Sequence, residues 1–303
     1  MTPELKIRTL ELLESHKLCE VLGDPPDTRL EASGICTADD AYYVIFDNRP
    51  DIARITKSTG LVGPGNGWLH ECGADSGHED ICYDERTGHF YVLIEAMKDK
   101  HGEWASVVDE YDGDFNRLER RYVDFKLETE NKGFEGIAYV YRHDPNTDRG
   151  EEGFLVLLCE GNLCRAGNAG RTPGGGRVHV FRKGKKRWKL VKQIELPPWL
   201  PFEDYSGIEV LGEYIAITSQ ASAMAWVARV IPGETVTFDE GALFEFPRDE
   251  QGEVVFCNVE GVTWGGKGLL VTVSDRMKQD QDERCGQCDQ SIQVFRIPSA
   301  ERE

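Results

Sequence analysis

A short phrase recurs five times along the chain and constrains its fold more than any other feature. The copies are Ala32-Ser33-Gly34-Ile35, His78-Glu79-Asp80-Ile81, Phe134-Glu135-Gly136-Ile137, Tyr205-Ser206-Gly207-Ile208 and Val259-Glu260-Gly261-Val262. Each places Ser or Glu first, a small or acidic residue second and a β-branched residue third. A turn and a second apolar strand follow every copy, and that strand ends abruptly in polar residues. The endings are Asp47-Asn48-Arg49, Glu95, Cys159-Glu160-Gly161-Asn162, Ser219-Gln220 and Ser274-Asp275-Arg276. Self-similarity with this punctuation is a repeat architecture.

The intervals between copies set the size of the repeating unit. From Ser33 the phrase advances by 46, 56, 71 and 54 residues, each step long enough for one four-stranded meander with its loops. The second repeat shows the pattern most fully, with strands expected at 80–83, 89–95, 104–111 and 120–127 and Asp, Gly and Asn in its turns. The third repeat keeps the order but carries an insertion, 161–175, between its second and third strands. That insertion reads as a flexible lid, because no helix follows its glycines to make a phosphate loop.

Only 43 residues follow Glu260, enough for three strands, whereas the chain opens with an unassigned strand at 6–13; the stretch 11–20 has a short helix as its alternative. The two ends therefore complete each other. The predicted fold is all-β, a single five-bladed β-propeller over 1–303 with blades starting near 33, 79, 135, 206 and 260. In it the N-terminal strand forms the outer edge of the last blade and so hides both edges of the ring. A six-bladed ring with the N-terminal segment as a degenerate blade is the alternative.

Composition narrows the function. The 303 residues carry 54 Asp plus Glu against 35 Lys plus Arg, a formal charge of −19, which disfavours nucleic acid and anionic membrane as partners. No apolar run approaches the roughly 20 residues needed to cross a bilayer, and the first residues lack a secretory core. With nine scattered cysteines, the expectation is a cytoplasmic protein with reduced thiols. Cys285 and Cys288 have the spacing of half a zinc site, with no second pair or His nearby in sequence.

In a propeller the innermost strand of each blade lines the central channel, so one position of the phrase converges on the axis five times. Those residues are Ser33, Glu79, Glu135, Ser206 and Glu260. Three carboxylates and two hydroxyls brought together in low dielectric need protons or a cation. An oxygen-only donor set suits Ca²⁺. The alternative is that the phrase merely ties blade junctions through backbone hydrogen bonds. Around the mouth lie the candidate catalytic acids Asp47, Glu95 and Glu160, with Arg49, Lys98, Asn162, Arg177, Gln220 and Arg276 as candidate binders of a small, anionic substrate.

The order Ser, Glu, Glu, Ser, Glu at the heads of five blades resembles the calcium-activated nucleotidases, or apyrases, and the turn Asp47-Asn48-Arg49 is similar to that family's Asp-Asp-Arg turn. The resemblance implies one Ca²⁺ in the tunnel, held by Ser33, Glu79, Glu135, Ser206 and Glu260, with Asp47 and Arg49 near the phosphates of the substrate. The Glu-Gly-Ile phrases also resemble SdiA-regulated and phytase-like propellers. The function expected is a Ca²⁺-dependent hydrolase of a phosphate-bearing small molecule. The alternatives are a Ca²⁺-dependent enzyme of another class, such as a lactone or ester hydrolase, isomerase or cyclase, and a non-catalytic ligand-binding propeller.

Overall fold

A computed structural model describes residues 6–58, 60–69, 77–127, 133–143, 151–231 and 237–298. Strand pairing groups them into four sheets, the largest of which joins two antiparallel meanders through the parallel pairing of Tyr122 and Val123 with Arg187 and Trp188, so that five meanders can be traced along the chain. The first runs Ala32–Ala38, Ala41–Phe46, Arg49–Thr56 and Gly67–Trp68; the second His78–Asp84, His89–Lys98, Trp104–Tyr111 and Arg117–Val123. The third is Phe134–His143, Glu151–Cys159, Arg177–Lys183 and Arg187–Glu195. Gly207–Leu211, Tyr214–Ser219, Met224–Ile231 and Ala242–Glu245 make the fourth, and Val259–Gly266, Leu269–Ser274 and Ser291–Arg296 begin the fifth. The first strands of consecutive meanders touch, and that of the fifth touches that of the first, so the ring closes. The fold is a β-propeller.

Alternation along the strands explains why the blades stack. Leu155 and Leu157 point towards the second blade, whereas Val156 and Leu158 point towards the fourth, so one strand feeds two cores with a period of two. The hydrophobic core is accordingly divided into five clusters, each filling the space between one blade and the next. Burial on both faces is what makes the central strands nearly continuous apolar runs.

The fifth blade is completed by the N-terminal segment, as the strand count requires, but with a shifted boundary. The closing strand is Glu11–Lys17, antiparallel to Ser291–Arg296. Ahead of it, Ile7–Thr9 pairs in parallel with the outer strand of the fourth blade. The stretch expected as one strand at 6–13 is therefore divided between two blades. Leu10, at the crossing, is buried in the core between blades four and five. The helix is shorter and later than the alternative reading placed it, at Leu18–Leu22, and buries Leu18 and Val21 between blades five and one.

A second difference concerns the insertion at 161–175, which does not behave as a free lid. Fully buried Asn162 holds it down: its Nδ2 donates to the carbonyls of Gly170 (2.9 Å) and Phe202 (3.0 Å), and its Oδ1 accepts from Gly175 N–H (2.9 Å). The cysteines differ too. Cys159 is bonded to Cys164 and Cys257 to Cys285, so four of the thiols expected to be reduced are paired, and Cys288 is left as a free thiol. Among the described residues no helix is long and apolar enough to cross a membrane.

Candidate functional site

The convergence of the five phrases is produced by β-bulges. In four blades the register between first and second strand skips one residue, between Ala32 and Gly34, His78 and Asp80, Phe134 and Gly136, and Val259 and Gly261. The skipped residues are Ser33, Glu79, Glu135 and Glu260. A bulge leaves its extra residue out of the ladder and re-aims its side chain, here into the centre of the ring. In the fourth blade Ser206 sits just ahead of Gly207–Leu211, its N–H donating to Thr218 O at 3.0 Å.

The small residue that follows is dictated by the same crowding. A Cβ on Gly34 would lie 2.6 Å from the Cα of Asp80, and one on Gly207 would lie 2.5 Å from the carbonyl of Glu260. The second blade has Asp80 at this position. Its buried carboxyl accepts the N–H of Ile81 (2.8 Å) and of Ile137 in the next blade (2.9 Å), which ties two blades together.

All five bulge or junction residues line one cavity of about 330 Å³. The ends of the second strands form another tier around it, since Asp47, Glu95, Glu160, Gln220 and Asp275 line the same space. A repeated hydrogen bond sets this tier: the N–H groups of Asp47, Glu95, Glu160 and Asp275 donate to the carbonyls of Glu31, Gly77, Gly133 and Asn258, each two residues ahead of the bulge. The candidate metal ligands, the three candidate catalytic acids and Gln220 are thus brought together.

The other candidate binders are not. Arg49 lies 3.9 Å over the ring of Trp68 and donates to Asp51 (2.8 Å), so its charge is turned outward along the third strand of its blade. Lys98 stacks 4.9 Å over Trp104. Arg177 lies 3.6 Å from Glu195 and lines a separate surface cavity. Arg276 is exposed and does not line the cavity, and Asn162 is consumed by the loop it pins.

Four charged lining residues lay outside the candidate set: Glu31, Asp204, Asp275 and Lys278. A signal for two of them exists in the sequence, because Glu31 and Asp204 each stand two residues before a phrase serine, Ser33 and Ser206. Where the bulge position lacks a carboxyl, an acid two residues earlier supplies one. Asp204 also caps its turn, accepting from Ser219 Oγ (2.7 Å) and Ala221 N–H (3.0 Å).

The cavity's electrostatics are those of crowded, desolvated acids. Nine carboxyl groups face it against one lysine, Lys278. Burial holds the carboxyls of Glu79 and Glu135 well above the usual range, and the two are hydrogen-bonded to each other, an arrangement that requires a shared proton. Burial also raises Glu260 to about 8 and Asp275 to about 6, with Lys278 opposing both shifts. Gln220 Nε2 donates to Glu260 Oε1, and Lys278 Nζ lies 3.4 Å from Gln220 Oε1, so the lysine reaches the tier through the glutamine. Ser33 and Ser206 donate to the carbonyls of His78 (2.5 Å) and Val259 (2.8 Å) in the following blades, which ties the junctions, and Ser206 Oγ has a second partner in Thr218 Oγ1 at 3.2 Å.

Oxygen donors with protons to give up fit a hard divalent cation, which would replace the proton shared by Glu79 and Glu135. The spacing limits how. Among the described residues no three cavity acids bring ligand oxygens within 4.8 Å of one another. An ion here would take that pair directly and reach the remaining acids through water.

No family model matches the chain, and no curated protein matches it either. Among solved structures it is similar to the glutaminyl cyclase of Myxococcus xanthus, with a TM-score of 0.55 and 11% identity over 98% of this chain and 100% of that one. A PQQ-bound aldose sugar dehydrogenase from Streptomyces coelicolor (TM-score 0.47, 14% identity, 93% and 98% coverage) and a luciferin-regenerating enzyme (0.47, 10%, 95% and 96%) are also similar. At these identities the likeness to the cyclase supports the propeller fold and leaves function to the site itself.

Proposed function

We propose that the cavity is a Ca²⁺ centre and that the protein is a Ca²⁺-dependent enzyme acting on a small molecule. One observation carries this reading: nine carboxyls from all five blades line a single cavity, where burial favours the protonated form of Glu79 and Glu135 unless a cation takes the proton's place. Glu79 and Glu135 would hold the ion, with Ser33, Ser206 and Glu260 around it. Such an ion supplies a Lewis acid that polarises a substrate oxygen.

The chain's own residues would do the rest. Asp47, Glu95 and Glu160, which line the same cavity, would accept a proton from water. Gln220, braced between Glu260 and Lys278, would orient a polar substrate group. The arginines that would neutralise a phosphate stack or pair elsewhere, which favours the hydrolysis of an uncharged ester or lactone over that of a nucleotide. The apyrase-like reading keeps one support, Lys278 at the cavity, and would rely on that single cation.

The test is in two parts. Thermal melting in EDTA, Ca²⁺ and Mg²⁺ should show a midpoint raised by Ca²⁺, since a ligand that binds only the folded state must stabilise it. Turnover of aryl esters, lactones and nucleoside di- and triphosphates should depend on Ca²⁺ and be lost in EDTA. A midpoint indifferent to Ca²⁺ overturns the metal centre. Phosphate release from nucleotides without ester or lactone turnover selects the apyrase-like chemistry.

A further inference from the structure

We propose that Cys159, Cys164 and His179 form a second metal site, of soft character, which is closed by the disulfide and opened by reduction. The site lies in the third blade, and its three ligand atoms sit within 4.8 Å of one another. His179 is fully buried in the strand Arg177–Lys183 opposite Gln193, and its Nε2 lies 3.2 Å from Gln193 Oε1. An amide oxygen can only accept, so Nε2 carries the proton and the lone pair is on Nδ1, which faces Cys159 Sγ at 3.7 Å. A neighbour that fixes the tautomer and aims the free nitrogen is the usual support of a metal-binding histidine.

The sulfurs are held in place by more than their own bond. Leu163 and Cys164 are two successive non-glycine residues in the left-handed region, with φ of 58° and 53°, which turns Cys164 back over Cys159. That turn is fixed by Cys164 N–H to Gly161 O (3.0 Å), by Leu163 N–H to Gly175 O (2.7 Å) and by the Asn162 side chain. Cleaving the disulfide would therefore leave both thiols beside Nδ1. A two-electron thiol reductant breaks the S–S bond, each sulfur takes one proton, and the reductant leaves as its own disulfide. Binding of Zn²⁺ then releases those two protons to solvent, and the ion takes two thiolates, one imidazole and a water, a donor set suited to it.

Co²⁺ serves as the spectroscopic probe, added anaerobically to the oxidised and the reduced protein. Reduced wild type should develop a thiolate-to-cobalt charge-transfer band at one equivalent, and oxidised protein none. The band should disappear in the Cys159→Ser/Cys164→Ser variant, while Gln193→Ala should keep it with affinity lowered about tenfold. Glu135→Gln should retain it in full, which separates this site from the carboxylate cavity. A reduced wild type without the band, or a band that survives in the double serine variant, overturns the proposal.

Discussion

Glu209 shows what a single half-buried carboxyl does to the ring. It stands two residues beyond Gly207, accepts from Val210 N–H (2.9 Å) and Thr263 Oγ1 (3.0 Å), and is raised by burial to about 7. A folded pKa above the unfolded one means that the native state holds the proton more tightly. The associated stability is complete below about 4.5, the unfolded value, and is lost as pH climbs to 7. Glu209→Gln keeps an oxygen to accept from Val210 N–H, turns its other end into a donor towards the rotatable Thr263 hydroxyl, and cannot titrate, so it should flatten this fall and stabilise the protein at pH 8 by on the order of 3 kcal/mol. Urea denaturation from pH 5 to 8 decides the matter, and parallel curves for the two proteins would refute it. Glu135→Gln should act differently. It relieves crowding in EDTA, so its midpoint there should match or exceed wild type, but the rise produced by Ca²⁺ should vanish; a retained rise would remove Glu135 from the proposed ion.

At the scale of the element, the bulge is the unit that builds the site. A strand in regular register would place Ser33, Glu79, Glu135 and Glu260 in the ladder; skipping one residue turns each into the cavity. The glycine after it lets neighbouring first strands approach. Gly207→Ala, whose Cβ would lie 2.5 Å from Glu260 O and 3.3 Å from Val262 N, should therefore destabilise by about 1–3 kcal/mol through overpacking. It should also weaken Ca²⁺ binding, because the displaced strand carries Glu260. A variant as stable as wild type by urea midpoint would contradict this geometry. These features were legible in the sequence because a bulge recurs at the same place in four of the five repeats and the chain marks it with the same residues. The acids at the −2 position were harder to see: that column of the repeat holds an acid in only two copies, Glu31 and Asp204, beside Gly77, Gly133 and Asn258 in the others. The arginines were misplaced for a different reason. Sequence puts Arg49 beside the mouth, but the choice between cavity and rim depends on Trp68 and Asp51, residues that only the folded blade brings near it.

At the scale of the whole molecule, the ring is held shut by a strap rather than by one strand. Ile7–Thr9 extends blade four, Leu10 enters the core between blades four and five, Glu11–Lys17 completes blade five, and Leu18 with Val21 fills the core between blades five and one. The strand deficit in the fifth repeat required the third of these contacts; the others could not be inferred, since a parallel pairing three residues long leaves no periodic trace. The strap makes the stability of the propeller depend on a segment far in sequence from the strands it joins. Removing residues 1–9 should cost only the parallel pairing on blade four and leave cooperative unfolding intact. Removing 1–17 should leave Ser291–Arg296 as an open edge, with a lowered, broadened melting transition and concentration-dependent aggregation. A synthetic peptide spanning residues 6–22, added to the longer deletion, should restore a single sharp transition, as a ligand of the folded state must. A longer deletion that melts as sharply and as high as the full chain would mean that the ring closes without its first strand, and the strap would be an ornament on blades that hold one another.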